Sequence, residues 1–401
     1  MKKVLFVMNT MGGGGAEKCL LKLLEYMQTN PEVELSLYSI LPWGELFGQL
    51  PEKVKVCNQQ IHLESVMTHQ AKRQFLKQTV SAFFSGTNGI RNIGFMFRMM
   101  MFQMKHHQIE PKKIVWKLLS DDAAVLEGTY DIAVAYLQGA ATYYVADHVQ
   151  AKKKIAFIHN EFIKSGNSPV LAKPFYEKFD RIYTVSEVIR KEFVGLFPAL
   201  KEKTKVFYNI IDEKEICQKA EKPMDVKWKP LFEKKNGQPY IFLTAARLYK
   251  VKAYDIAIEA VAIVKKRGYA IRHVILGEGE ERKNLEQMIH QKHLENEVFL
   301  PGAVENPYPY MKACDCYMQA THYEGCCTAI SEAVVLHKPV LASDCAGNKE
   351  QLQRYQTGHL VSLDAQHLAD GMIDMIENAN KTTENVKVCI SPDQMIADLL
   401  A

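Results

Sequence analysis

No stretch of this 401-residue chain approaches the ~18 uninterrupted apolar residues of a spanning helix, so no membrane-crossing segment is expected. The apolar run ahead of the first glycines is only about half a dozen residues, too short for the core of a signal peptide. The nine cysteines are scattered, with Cys314 and Cys316 two apart, Cys326 and Cys327 adjacent, and no CxxC pair. That rules out a zinc pattern and a disulfide framework and fits a reducing, cytoplasmic setting. Charge of one sign is lacking too: 50 basic against 46 acidic residues leave a net +4, which gives a nucleic-acid role no support. Two phosphate-binding signatures are also missing. Lys18 is followed by Cys19 rather than Ser or Thr, so the glycine cluster NTMGGGGAEK (9–18) is not a P-loop. Counting from Gly12, the third glycine of GxGxxG falls on Glu17, so it is not a dinucleotide fingerprint either.

What is present is alternation. Apolar, β-branched runs at 3–8, 33–40, 131–137, 154–159, 181–185 and 205–208 predict strands, and Leu20, Leu23, Leu24 and Met27 recur at helical spacing after the glycines. After a charged, proline-containing stretch (213–239) the alternation begins again with YIFLTAARL and runs to PVLASD. Repeated strand–helix alternation predicts parallel sheets covered by helices on both faces. The fold class expected is therefore α/β with two Rossmann-like domains facing across a cleft. Their expected extents are 1–225 and 226–385, with a last helix in 386–401 returning to the first. Ligands in such sheets bind beyond the carboxyl ends of the strands. Residues 65–117 break the pattern: Arg, Lys and His alternate with Phe, Met and Trp116, and Glu110 is the only acid. Two readings stay open, a helical insertion that packs its methionines inward and a basic amphipathic surface lying on an anionic membrane. RNA binding is a distant third.

The strongest chemical constellation is HYEGCCTAISEAVVLHKPV (322–340). Gly325 opens a turn, a helix is predicted from Thr328, and Glu324 and Glu332 stand before it and one turn inside it. Amides at the helix start suit an anion, whereas carboxylates accept hydrogen bonds from sugar hydroxyls. Together they would bracket a nucleotide diphosphate sugar; two solvated glutamates would give the same spacing. The second constellation is AARLYKVKAYD (245–255), where Arg247, Lys250 and Lys252 follow a strand and can neutralise a diphosphate leaving group. The chain contains no Asp-x-Asp, the arrangement that holds the cation in metal-dependent sugar transferases, so no metal and no cofactor are expected. Lys252 is followed by Ala253, and a turn there that called on glycine's freedom would ask more of the backbone.

These segments, with GGAE (14–17), LGEGEER (276–282), VFLPGAVENPYPYM (298–311) and AGNKEQL (346–352), come in the order of glycosyltransferase family 4, which the chain resembles. The likeness covers nearly the whole C-terminal half, and KKIAFIHNEF (153–162), DRIYTVSE (180–187) and VFYNIID (206–212) extend it into the N-terminal half. It implies a GT-B fold and metal-independent transfer of a sugar with retention of configuration. It also implies that Arg247 and Lys252 hold the donor diphosphate, Glu332 the ribose and Glu324 the transferred sugar. The amides of Cys326, Cys327 and Thr328 would approach the donor, as would Gly277 and Gly325. From the N-terminal domain the same is implied for His159, Gly14 and Gly15. The donor implied is a UDP-sugar, and the acceptor a saccharide or lipid-linked saccharide in bacterial surface polysaccharide assembly. The setting implied is the cytoplasm, and, if the membrane reading of 65–117 holds, that segment would make a peripheral contact at the inner face of the cell membrane. The Cys326–Cys327 pair departs from the family's usual Gly or Phe and small residue, which leaves donor selectivity open. Two other readings remain, a non-catalytic nucleotide-sugar-binding partner subunit and a nucleotide-sugar epimerase on the same fold.

Overall fold

The computed structural model describes residues 1–66, 68–236, 238–378 and 392–401, and the chain divides into two compact units. The division falls between Ile210 and Ile211, where the sequence expectation put it at 225.

The first unit holds β1 (Lys2–Met8), β2 (Val33–Ser39), β3 (Val54–Val56), β4 (Tyr130–Ala135), β5 (Ala151–Ile158), β6 (Arg181–Thr184) and β7 (Thr204–Val206). They form one sheet in the order β3-β2-β1-β4-β5-β6-β7, every neighbour parallel. Burial on both faces of the sheet explains why β1, after its two exposed lysines, is apolar from Val4 to Met8. Leu5 and Val7 enter the core on one face, and Val4, Phe6 and Met8 enter the core on the other. Helices α1 (Gly15–Met27), α2 (His69–Phe84), α3 (Asn88–Lys105), α4 (Pro111–Asp122), α5 (Ala140–His148), α6 (Pro169–Tyr176) and α7 (Glu187–Leu196) complete the unit up to Ile210. The six strands expected here are all present. β3 is additional, and at three residues it is too short to show alternation.

The second unit opens with α8 (Glu213–Ala220) and holds β8 (Tyr240–Ala245), β9 (Ile271–Leu276), β10 (Val298–Gly302), β11 (Cys316–Gln319), β12 (Val340–Ser343) and β13 (His359–Val361). These lie in the order β10-β9-β8-β11-β12-β13, again all parallel. The helices α9 (Tyr254–Lys266), α10 (Arg282–Gln291), α11 (Tyr308–Ala313), α12 (Thr328–Val335), α13 (Ala346–Tyr355) and α14 (Ala365–Glu377) alternate with the strands. Phe242 of β8 faces one core cluster while Ile241 and Leu243 face the other, so this sheet too is covered on both sides.

The last helix, α15 (Pro392–Leu400), belongs to the first unit. Ile396 and Leu399 join the core beneath β1. Asp398 accepts hydrogen bonds from Arg181 at 2.9 Å and from the Tyr183 hydroxyl at 2.6 Å, and the Lys2 ammonium donates to the Leu400 carbonyl at 2.6 Å. Residues 386–391 of the expected tail lie outside the described residues.

Residues 65–117 form α2, α3 and the start of α4. Among the methionines of α3, Met99 is buried and Met96 packs on the core, whereas Met100, Met101 and Met104 are exposed. Inward packing therefore accounts for only part of this segment.

Candidate active site

Both arms of the sequence argument meet in the second unit, on the loops that follow β8, β9, β11 and β12. The loop after β8 carries Arg247, half-buried with its guanidinium 5.8 Å from the Tyr249 ring, and then a short turn, Lys250–Lys252. Ala253 closes that turn at φ +45°, ψ +39°. This is the left-handed geometry for which a glycine is expected, and alanine there carries a conformational cost of about 1–2 kcal/mol. The constraint aims Lys252 at Glu324, with which it forms an ion pair; the two side chains are only 18% and 15% exposed. Burial works against the Lys252 charge, but the adjacent Glu324 carboxylate outweighs it and holds the ammonium above its ordinary pKa.

The loop bearing Glu324 is fixed from three sides. The Val251 carbonyl accepts from the His322 amide at 2.9 Å and from the Thr321 hydroxyl at 3.0 Å, which joins the lysine loop to the glutamate loop. The Thr321 amide donates to Ser343 Oγ at 3.0 Å, which ties it to the end of β12. The start of α13 then presses on it: a Cβ added to Gly347 would stand 2.0 Å from the Glu324 carbonyl oxygen. Gly277 acts likewise beyond β9, since its Cβ would stand 2.0 Å from the Ala246 carbonyl oxygen next to Arg247. The glycines of LGEGEER thus permit close backbone approach.

Helix α12 begins at Thr328 with no side-chain oxygen capping it at Cys327, while the Ile330 amide lies against the Cys327 sulfur. Of the three amides singled out, that of Cys327 is committed within the unit, donating to Gln351 Oε1 at 3.0 Å. Cys327 itself is buried, and burial pushes its thiol up to about 12, so it does not act as a thiolate near neutrality. Glu332 lies one turn into α12 and accepts from the Tyr308 hydroxyl at 3.3 Å. The unit therefore brings Arg247, Lys252, Glu324, Gly325, Cys326, Thr328, Glu332 and Gly277 onto one edge of its sheet.

Gly14, Gly15 and His159 belong to the first unit. Gly14 caps α1 in an ordinary extended conformation, and a Cβ on Gly15 would meet nothing within 4 Å. The crowding falls earlier, where Cβ atoms on Gly12 and Gly13 would each come within 2.8 Å of Val66 and Glu45, and the Gly13 amide donates to Glu45 at 3.0 Å. His159 follows β5 and packs its ring against Tyr136, with centroids 4.9 Å apart. Burial lowers its pKa to about 4 against an opposing backbone hydrogen bond with Tyr136, so the imidazole is neutral at pH 7. Its Nε2 is buried with no hydrogen-bond partner among the described residues. Gln138 orders this edge: its Oε1 accepts from the His159 amide at 3.1 Å, and its carbonyl accepts from Asn9 Nδ2 at 2.9 Å. Sequence reading missed Gln138, Asn9, Gln351 and Tyr308, because single polar residues after a strand or within a helix carry no spacing signal. Among the described residues one trio could ligate a metal, Asp121, Asp147 and His148. Lys117 already occupies it, pairing with both carboxylates.

Residues 229–387 match the family model described as glycosyl transferases group 1. An uncharacterized glycosyltransferase of Methanocaldococcus jannaschii is 27% identical over 173 residues, 43% of this chain and 42% of the relative. The Campylobacter jejuni N-acetylgalactosamine-N,N'-diacetylbacillosaminyl-diphospho-undecaprenol 4-alpha-N-acetylgalactosaminyltransferase is 29% identical over 226 residues, 56% of this chain and 58% of the relative. The chain thus spans about half the length of these curated relatives. Among solved structures, Anabaena HepE in complex with UDP and glucose superposes with a TM-score of 0.68 at 19% identity, covering 100% of this chain and 99% of that one. A Staphylococcus aureus TarM mutant in complex with UDP, Fondaparinux and alpha-GlcNAc-glycerol gives 0.62 at 14% identity, covering 100% and 99%. Residues 229–387 thus match the group 1 glycosyltransferase model, and the chain's two parallel sheets, one in each unit, have the fold of the GT-B glycosyltransferases.

Proposed function

We propose that this protein transfers a sugar from a UDP-sugar to a hydroxyl of a saccharide or lipid-linked saccharide in surface polysaccharide assembly, with retention of configuration and without a metal ion. The observation that carries the proposal is the sequestered Lys252–Glu324 pair beside the start of α12. An ammonium has three donors and a carboxylate about four lone-pair sites, so each can keep its partner and still take a ligand. Lys252 and Arg247 would meet the diphosphate, Glu324 the hydroxyls of the transferred sugar, and Glu332 those of the ribose. Relatives favour the same chemistry by name: the Campylobacter protein acts on a diphospho-undecaprenol-linked saccharide, and HepE holds UDP and glucose.

In the proposed reaction the acceptor hydroxyl attacks the anomeric carbon on the face from which the diphosphate leaves. The bond from carbon to the β-phosphate oxygen breaks, the new glycosidic bond forms, and the departing oxygen takes the acceptor's proton. Charge grows on that oxygen in the transition state, so a fixed cation there lowers the barrier more than it strengthens donor binding. Thermal melting with a panel of nucleotide sugars in excess chelator tests the donor. At about 100 times its dissociation constant a ligand adds about 2.7 kcal/mol, which raises the midpoint by roughly 5–11 °C for a unit of this size. A shift with UDP-sugars supports the proposal; no shift with any nucleotide sugar overturns it.

A further inference from the structure

Helix α3 has two apolar faces. Asn92, Phe95, Met99 and Gln103 turn inward, and polar bonds fix that rotation: Asn92 Nδ2 donates to Asp121 at 2.8 Å, and Gln103 Nε2 to the Gly166 carbonyl at 3.1 Å. On the opposite side Ile90, Ile93, Phe97, Met100, Met101 and Met104 are 39% to 77% exposed. At about 100° per residue these six fall within an arc of about 100°, one continuous stripe along the helix. Arg91, Arg98 and Lys105 flank it on one side by the same geometry. Helix α2, which packs against α3, repeats the motif on a smaller scale, with Leu76, Val80 and Phe84 exposed beside Arg73 and Lys77. From Ser65 to Ile109 the chain contains no acidic residue.

We infer that the outer face of α3, with that of α2, docks the protein onto an anionic lipid bilayer, the apolar stripe entering the headgroup–acyl boundary and the arginines and lysines meeting lipid phosphates. The charge distribution selects this occupant. A helix with an apolar stripe rimmed by Lys and Arg is the form that lies in a membrane interface. A second copy fits poorly, because a two-fold interface would set this acid-free cationic surface against itself. Among the described residues no helix is long and apolar enough to cross a membrane, so this attachment is peripheral. The inference does not rest on the transfer reaction.

Co-sedimentation of the full chain with vesicles tests it, comparing phosphatidylcholine alone with phosphatidylcholine containing phosphatidylglycerol. Preferential binding to the anionic vesicles is expected. It weakens as salt rises from about 0.1 M to about 1 M, where the screening length falls from ~10 Å to ~3 Å. Phe97→Asp with Met101→Asp, both on the exposed stripe, should cut partitioning at least about tenfold while leaving the melting temperature unchanged. Arg98→Gln should cut it about fivefold. Equal binding to neutral and anionic vesicles, no binding to either, or partitioning unaffected by the double variant would overturn the inference. So would a dimer in solution that the double variant dissolves.

Discussion

Replacing Gly347 with alanine probes the geometry of the candidate site without touching a charged group. The new Cβ would stand 2.0 Å from the Glu324 carbonyl oxygen, 2.7 Å from its carbon and 3.3 Å from the Gly325 oxygen, against 3.4 Å for ordinary contact. All three atoms are backbone, so no side-chain rotation relieves the clash. Either α13 tilts or the loop retreats by about 1.4 Å. The loop resists, because Val251 and Ser343 hold it through Thr321 and His322. Overpacking of this kind costs about 1–3 kcal/mol, a fall of roughly 2–12 °C in melting temperature for a unit of this size. Displacing Glu324 by an ångström should also lower turnover about 100-fold. Thermal melting and nucleoside diphosphate release measure the two effects. Gly195→Ala is the control: its Cβ meets nothing within 4 Å, and in α7 it should leave activity alone and add about 0.5–1 kcal/mol. A Gly347→Ala protein that melts and turns over like its parent would refute the packing argument.

Two further predictions concern stability. His159 and His273 are buried and neutral, with burial lowering their pKa values to about 4 and about 3. Unfolding frees each to titrate near 6.5, so the unfolded state binds more protons as pH falls below that value. The stabilisation is whole above pH 6.5 and is lost as pH falls toward the folded pKa, about 2 kcal/mol per histidine by pH 5. Denaturant titrations at pH 7 and pH 5 should show the loss, and His273→Phe should remove part of the slope; a flat profile would contradict it. Leu399→Ala, fully buried under β1, should cost about 2–5 kcal/mol. Asp398→Asn, on the more exposed side of α15, should cost about 1 kcal/mol. Urea unfolding ranks the two, and an equal effect would mean that α15 is held by its ion pairs rather than by its apolar face.

Most of the sheet architecture is legible in the sequence because parallel strands buried on both faces read as unbroken apolar runs, as Val4 to Met8 and Ile241 to Leu243 do. β3 escapes notice, being three residues with a lysine at its centre. Glu324, Lys252 and Glu332 stand out because charge interrupts a predominantly apolar segment. Their pairing does not, since only the fold brings residues 72 apart into contact. Gln351 and Gln138 are invisible for a different reason: each acts through a backbone amide, and nothing local marks an amide as needing a partner. The glycine quartet misleads in detail, because Gly14 has an ordinary extended backbone while Gly12 and Gly13 are the crowded positions. The exposed face of α3 could not be told from a core face by periodicity, since both give the same helical spacing.

The most direct test of the account is nucleoside diphosphate release from a UDP-sugar in excess chelator by the parent protein and by Lys252→Met. The account predicts metal-independent release by the parent and a loss of at least about 100-fold in the variant, the scale set by removing a fixed transition-state charge. Release that stops with chelator, or a Lys252→Met protein that keeps its turnover, would contradict it.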